Sequence, residues 1–157
     1  MSQSKRKKRM PTVLAVASSG GHWIQLLRLR PAFEGMRTVF VSVSDDLALD
    51  VVPNTFYQVP DANRSSKFRL LWQFVKLLFI VLRERPRYVV STGAAPGYLA
   101  VRLGGLFGAR TLFIDSIANA EQLSLSGHLA SSHADLMLTQ WPSLAREGGP
   151  QYRGSVL

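Results

Sequence analysis

Val13-Leu-Ala-Val-Ala-Ser-Ser-Gly-Gly-His-Trp23 joins a short apolar run to a glycine-rich turn that carries a histidine. An apolar run without polar alternation is the pattern of a parallel strand buried on both faces. From Trp23 to Arg30 the chain takes on helical character. A strand–glycine–helix corner leaves backbone N–H groups and the positive end of a helix facing one space, which suits phosphate. His22 adds a group able to move a proton near neutral pH.

Outward from this corner the same rhythm repeats. Strands are predicted over Thr12–Ala17, Thr38–Val43, Thr55–Val59, Tyr88–Ser91, Thr111–Asp115 and Leu136–Thr139. Helices are predicted over Trp23–Arg30, Phe68–Arg85, Gly97–Phe107 and Ser126–Ser132, with a short one near Asp46–Val52. Pro86 ends the longest helix and Gly108 stands where a C-cap belongs. Short Val/Ile/Leu runs separated by helical patterns predict one α/β domain, a doubly wound parallel sheet of the Rossmann type. It is expected to span residues 12–157, after a disordered basic tail at residues 1–11.

The 157 residues, 46% of them hydrophobic, suffice for one good core. There is no cysteine, hence no disulfide framework or thiolate metal site, and the three histidines lack metal-ligand spacing. No metal and no resident cofactor are expected. The net charge of +9 is concentrated in two places. Lys5–Arg9 carries five cations, and the span from Arg64 to Arg87 carries seven against Glu84 alone. Because the second cluster is interleaved with an apolar helix, it points to an anionic membrane surface rather than to nucleic acid. The apolar stretch after the tail is too short for the core of a signal peptide.

In a sheet of this kind ligands bind at the carboxyl ends of the strands. Four loops fall there: Ser18–His22, Ser91–Gly97, Asp115–Asn119 and Gln140–Pro142. Any one of them can be a tight turn and nothing more, but two glycine-rich corners on one edge favour an anion site. The dinucleotide spacing of glycines is absent after the first strand, and no Gly-Lys-Ser/Thr occurs. The helix from Phe68 to Arg85 shows Arg69, Gln73, Lys76 and Arg83 as a narrow polar stripe on an otherwise apolar cylinder. Its interior charges argue against a membrane span. Two placements remain open: burial between the sheet and a neighbour, or a position at the lipid interface with Trp72 and Phe74 inserted.

Five ordered motifs carry a resemblance. They are Ser-Gly-Gly-His-x-x-x-Leu from Ser19, Ser-Thr-Gly-Ala-x-Pro-Gly from Ser91, Phe-Ile-Asp-Ser-x-Ala from Phe113, Ser-x-Ser-Gly from Ser124, and Ala-Asp-x-x-Leu-x-Gln-Trp-Pro from Ala134. Between Thr12 and Leu144 the chain resembles the oligosaccharide-biosynthesis family that contains the membrane-recruiting subunit of the eukaryotic N-glycan GlcNAc transferase. Bacterial PssD- and CpsF-like exopolysaccharide proteins belong to the same family, and the amino-terminal half of MurG is more distantly similar.

The resemblance implies the acceptor-side half of a GT-B glycosyltransferase. A separate small PssE-like partner would hold the UDP-sugar, and the acceptor would be polyprenyl-linked and reached at the cytoplasmic face of the membrane. A chain ending at Leu157 without a second α/β domain fits that split. The absence of the anchoring segment found in eukaryotic members places the membrane contact on Lys7, Arg9, Arg69, Trp72, Phe74 and Lys76. Ser19, Gly20, Gly21, Gly93, Pro96, Gly97, Ser116 and Asn119 would border phosphates and acceptor. Asp115-Ser116 and Asn119 stand where many bacterial members carry Glu-Ser and Arg. The implied chemistry is inverting, metal-independent transfer of a sugar, with His22 as the first candidate for the base and Asp115 as the second. Two other readings stay open: a non-catalytic scaffold that recruits and activates a partner at the membrane, and an unrelated nucleotide-binding Rossmann protein.

Overall fold

A computed structural model describes residues 9–63 and 65–156. Seven parallel strands form one sheet in the order β3-β2-β1-β4-β5-β6-β7. They are β1 (Thr12–Val16), β2 (Arg37–Ser42), β3 (Thr55–Gln58), β4 (Tyr88–Ser91), β5 (Arg110–Ile114), β6 (Leu136–Thr139) and β7 (Gln151–Tyr152). The helices are α1 (Gly21–Arg28), α2 (Lys67–Glu84), α3 (Ala94–Leu106) and α4 (Leu125–Ser131), with short 3-10 turns over Arg30–Phe33, Asp45–Val51 and Pro142–Leu144.

Both faces of the sheet are covered, and β1 shows why its sequence does not alternate. Val13, Ala15 and Ala17 pack with Trp23, Leu26, Phe33 and Phe40 beneath α1. Leu14 and Val16 point the other way, into a core with Leu77, Ile80 and Val81 of α2 and Ala100, Val101 and Leu103 of α3. Successive strand side chains alternate faces, so a strand buried on both must be apolar throughout. The predicted fold class is the observed one.

The differences are local. β7 pairs with β6 through only two residues, Gln151 and Tyr152, too few to leave a periodic signal. Pro31 lies in the 3-10 turn that follows α1, so α1 stops at Arg28 rather than Arg30. α3 begins at Ala94, three residues ahead of the predicted Gly97. Residues 1–8 of the predicted tail, Lys7 among them, lie outside the described residues; Arg9 is exposed just before β1.

Candidate functional site

β1 lies between β2 and β4, so the chain leaves it toward one side of the sheet and returns on the other. In open α/β sheets ligands bind in the crevice at such a switch point, beyond the carboxyl ends of the two adjacent strands. Here the loops beyond those ends are Ala17–Gly20 after β1 and Thr92–Gly93 after β4. They are the two glycine corners, and they touch.

The contact is reciprocal. His22 Nδ1 lies 2.9 Å from the Thr92 carbonyl oxygen, and Thr92 Oγ1 donates to the His22 carbonyl at 2.6 Å. A carbonyl can only accept, so Nδ1 carries the proton and Nε2 of the neutral ring keeps its lone pair. Gly93 supplies the flat floor beneath the ring. It holds φ of +133°, and a Cβ there would sit 2.5 Å from His22 Nδ1. Glycine is required at this position both by backbone and by space. Ser19, Gly20 and Gly21 are exposed at the mouth.

Both helices start here without a side-chain cap. Gly20 precedes α1 and Gly93 precedes α3, and neither offers a side-chain oxygen to the first-turn N–H groups. Those donors and the positive ends of two helices are left to whatever occupies the crevice. Pro96 and Gly97 belong elsewhere. Both are buried, and a Cβ on Gly97 would fall 1.9 Å from Ser91 Oγ. Gly97 thus permits close packing of α3 on β4, and the corner proper is Gly93-Ala94-Ala95.

Asp115, read from the sequence as the second candidate for a base, is 1% exposed and fully engaged. Its Oδ2 accepts from Ser124 N at 2.8 Å, and its Oδ1 accepts from Ser124 Oγ at 2.6 Å and from Asn119 Nδ2 at 3.3 Å. Ser124 in turn caps α4 through Gly127 N. The carboxylate holds the 116–124 loop closed and does not face the crevice. Asn119 belongs to this network, whereas Ser116 Oγ accepts from Gln25 Nε2, which also donates to the Gly21 carbonyl of the first glycine corner.

Two glutamines connect the loops. Gln25, one turn along α1 from His22 and 5% exposed, donates to Ser116 Oγ and accepts from Ile117 N. Gln140 donates to Gln25 Oε1 and to the Asp115 carbonyl, and accepts from Val156 N. Trp141 adds a bond from Nε1 to the Ile117 carbonyl at 2.7 Å. Gln25 was missed by sequence reading. Its spacing of three from His22 puts it on the same side of α1, among residues that are otherwise buried and apolar.

The outer face of α2 requires a correction. Gln73 is not in an exposed polar stripe: it is 0% exposed, donates to the Pro60 carbonyl at 2.8 Å and shares the inner face with Leu77, Ile80 and Val81. At about 100° per residue, Leu71, Leu82, Val75, Phe68, Phe79 and Trp72 fall within about 100° of arc on the opposite side. All six are exposed. Arg83, Lys76 and Arg69 form a row along one flank of that arc, with Lys76 Nζ 6.0 Å from the Trp72 ring centre. Phe74 lies beyond the other flank and is less exposed, at 37% against 55% for Trp72. Among the described residues no helix is long and apolar enough to cross a membrane.

The sheet order and its switch point define a Rossmann-like α/β domain. Acinetobacter baumannii MurG superposes with a TM-score of 0.76 at 13% identity, over 94% of this chain and 46% of that one. UDP-N-acetylglucosamine 2-epimerase from Rickettsia bellii superposes with a TM-score of 0.67 at 12% identity, over 86% and 40%. The chain therefore spans less than half of either protein, and these likenesses show the fold alone. A family model described as "Oligosaccharide biosynthesis protein Alg14 like" matches residues 54–156, and the chain belongs to that family. The match runs from β3 to β7 and leaves the His22 corner outside it.

Two relatives are named UDP-N-acetylglucosamine transferase subunit ALG14. That of Yarrowia lipolytica is 24% identical over 90% of this chain and 78% of its own length. That of Mus musculus is 26% identical over 84% and 76%. By name these relatives are glycosyltransferase subunits, and the family is one of oligosaccharide biosynthesis.

Proposed function

We propose that this chain is the acceptor-side subunit of a two-chain UDP-sugar glycosyltransferase, working at a membrane on a polyprenyl-diphosphate-linked acceptor. The observation that carries the reading is the 2.9 Å contact between His22 Nδ1 and the Thr92 carbonyl oxygen. With Nδ1–H committed to the Thr92 carbonyl, Nε2 of the neutral ring is left to accept a proton, and two helices start uncapped at the same pair of corners.

In this reading Nε2 removes the proton from the acceptor hydroxyl as its oxygen bonds to the anomeric carbon of the donor sugar. The bond from that carbon to the β-phosphate oxygen breaks, and UDP leaves with the electron pair. Attack opposite to the leaving group inverts the anomeric centre. The proton gained by His22 leaves an imidazolium whose Nδ1–H still points at the Thr92 carbonyl, so the ring keeps its orientation through the step. The N–H groups at Gly20-Gly21 and Gly93-Ala94 face phosphate oxygens, where helix ends stabilise negative charge without reorganising. No metal has a part in the scheme. Asp115, the second candidate for the base, takes a positioning role instead.

The other wall of the crevice belongs to a separate small, PssE-like partner that binds the donor. The relatives' names make UDP-N-acetylglucosamine the first donor to assay, with donor choice residing mainly in that partner. The membrane side is the exposed apolar arc of α2, with Arg69, Lys76 and Arg83 reaching lipid headgroups beside it and Arg9 following from the tail.

The test is sugar transfer by this chain co-expressed with a small partner, to a polyprenyl-linked acceptor in vesicles. His22→Ala should lower turnover about 100-fold or more while vesicle binding stays unchanged. Full turnover in that variant would leave the chain a recruiting scaffold. Activity of the isolated chain with a dinucleotide would overturn the reading as a whole.

A further inference from the structure

The end of the sheet opposite the glycine corners carries a second concentration of chemistry. Register sets it up. Thr12 of β1 pairs with Arg37 of β2, and Val13 pairs with Tyr88 of β4, so Arg37 and Arg87 flank the first residue of β1. The last turn of α2 brings Arg83 and Arg85 to the same edge, and Arg9 approaches from the residues before β1. These five guanidiniums line one groove of about 880 Å³. Its single carboxylate, Glu84, is held by Arg37 and by the Tyr57 hydroxyl.

The groove does not stand alone. Between the end of α2 and the end of α3 lies a cavity of about 390 Å³ walled by Val81, Leu82, Pro86, Phe107 and Ala109. Arg85 lines both spaces. A strongly cationic groove thus adjoins an apolar crevice across one side chain. Leu82 and Phe107 at its rim are 48% and 55% exposed, and Leu106 beside them is 65% exposed. Arg85 itself adopts φ of +45° at the end of α2, a conformation in which glycine would be free of strain. The guanidinium is kept where the backbone would prefer no side chain.

We propose that this edge binds an anionic phospholipid, its phosphate among Arg83, Arg85 and Arg87 and the start of an acyl chain in the crevice between α2 and α3. The assignment rests on the membrane reading of α2 given above and extends it to a defined headgroup site. Charge selects an anion, and the apolar crevice beside the cations selects an amphiphile over a free anion. An α2 of 18 residues is about 27 Å long. A headgroup held at its last turn would fix the end of α2 remote from the glycine corners and lay the helix along the bilayer.

The experiment is flotation of the full chain with phosphatidylcholine vesicles, with and without phosphatidylglycerol. Arg85→Gly combined with Arg87→Ser should weaken binding to the anionic vesicles roughly 30-fold, from about 1 kcal/mol per cation near a charged surface. The thermal midpoint should not fall, because glycine relieves the strain at Arg85. Arg85→Lys with Arg87→Lys should restore most of the binding, and Leu82→Ser with Phe107→Ser should weaken it independently. Unchanged anionic-vesicle affinity in the glycine–serine variant, with binding lost on Trp72→Ser and Phe79→Ser, overturns the headgroup site and leaves the α2 reading standing. Wild-type protein that floats with neither vesicle overturns both. Loss of affinity for a single-stranded RNA without loss of vesicle binding would assign the groove to nucleic acid instead and refute the proposal.

Discussion

Gly93→Ala tests the site at its narrowest point. The backbone there sits at φ of +133°, a region that only glycine enters freely, and forcing alanine into it costs about 1–3 kcal/mol. The new methyl would also lie 2.5 Å from His22 Nδ1 and 2.6 Å from Cε1. The ring cannot swing aside cheaply, because Nδ1 is bonded to the Thr92 carbonyl and the His22 carbonyl accepts from Thr92 Oγ1. Displacing it forfeits at least one hydrogen bond, about 1 kcal/mol. The expected total is about 3 kcal/mol, read as a lower urea midpoint at unchanged slope. A double-mutant cycle separates the two parts. In a His22→Ala background the steric part vanishes and only the backbone part remains, leaving a coupling of about 1 kcal/mol or more between the positions. In the assembled transferase Gly93→Ala should cost about 100-fold in turnover, the penalty of a base misplaced by about an ångström. Additive stability effects, or full turnover in the Gly93→Ala variant, would refute the account of His22 as a group held by its floor.

Two further outcomes follow from the polar networks. Asp115→Asn replaces a triple acceptor with a group that opposes at least one of its donors, so stability should drop by about 3 kcal/mol, or about 10 °C in thermal midpoint. A large loss of turnover at unchanged stability would instead return Asp115 to the chemistry. Burial works to raise the Glu84 carboxyl, but hydrogen bonds from Arg37 and Tyr57 and the nearby charges of Arg37 and Arg83 outweigh it, leaving Glu84 below its ordinary value. A depressed acid stabilises the fold fully above the unfolded value of about 4.3 and loses that contribution as pH falls through the folded one. Urea midpoints measured downward from neutral pH should therefore fall more steeply in wild type than in Glu84→Gln, and parallel curves would contradict the pairing.

Much of the molecule was legible because its physics is local. The β1 run is apolar at every position, and burial on both faces demands that. The corners were visible as glycine, and glycine is what positive φ and a histidine at contact distance require. Legibility failed where a residue's environment is set by a loop or element other than its own. Gln73 has the spacing of an exposed stripe, yet the Pro60 carbonyl reaches it from another segment and turns that face inward. Asp115 looks like a free acid after a strand until Ser124 and Asn119 fold back on it. Gly97 looks like part of a phosphate loop until α3 is laid against Ser91. In each case the partner sits on a loop or a neighbouring element, and periodicity along one helix or strand does not report such a contact.

The bond between His22 and Thr92 also makes the ring a reporter. The two nitrogens of a neutral imidazole differ in ¹⁵N resonance according to which one holds the proton, and here Thr92 decides that. A partner closing over the crevice changes what Nε2 meets while Nδ1 stays tied to the backbone of the neighbouring corner. One labelled side chain thus records separately whether the two corners remain joined and whether the open wall has been filled.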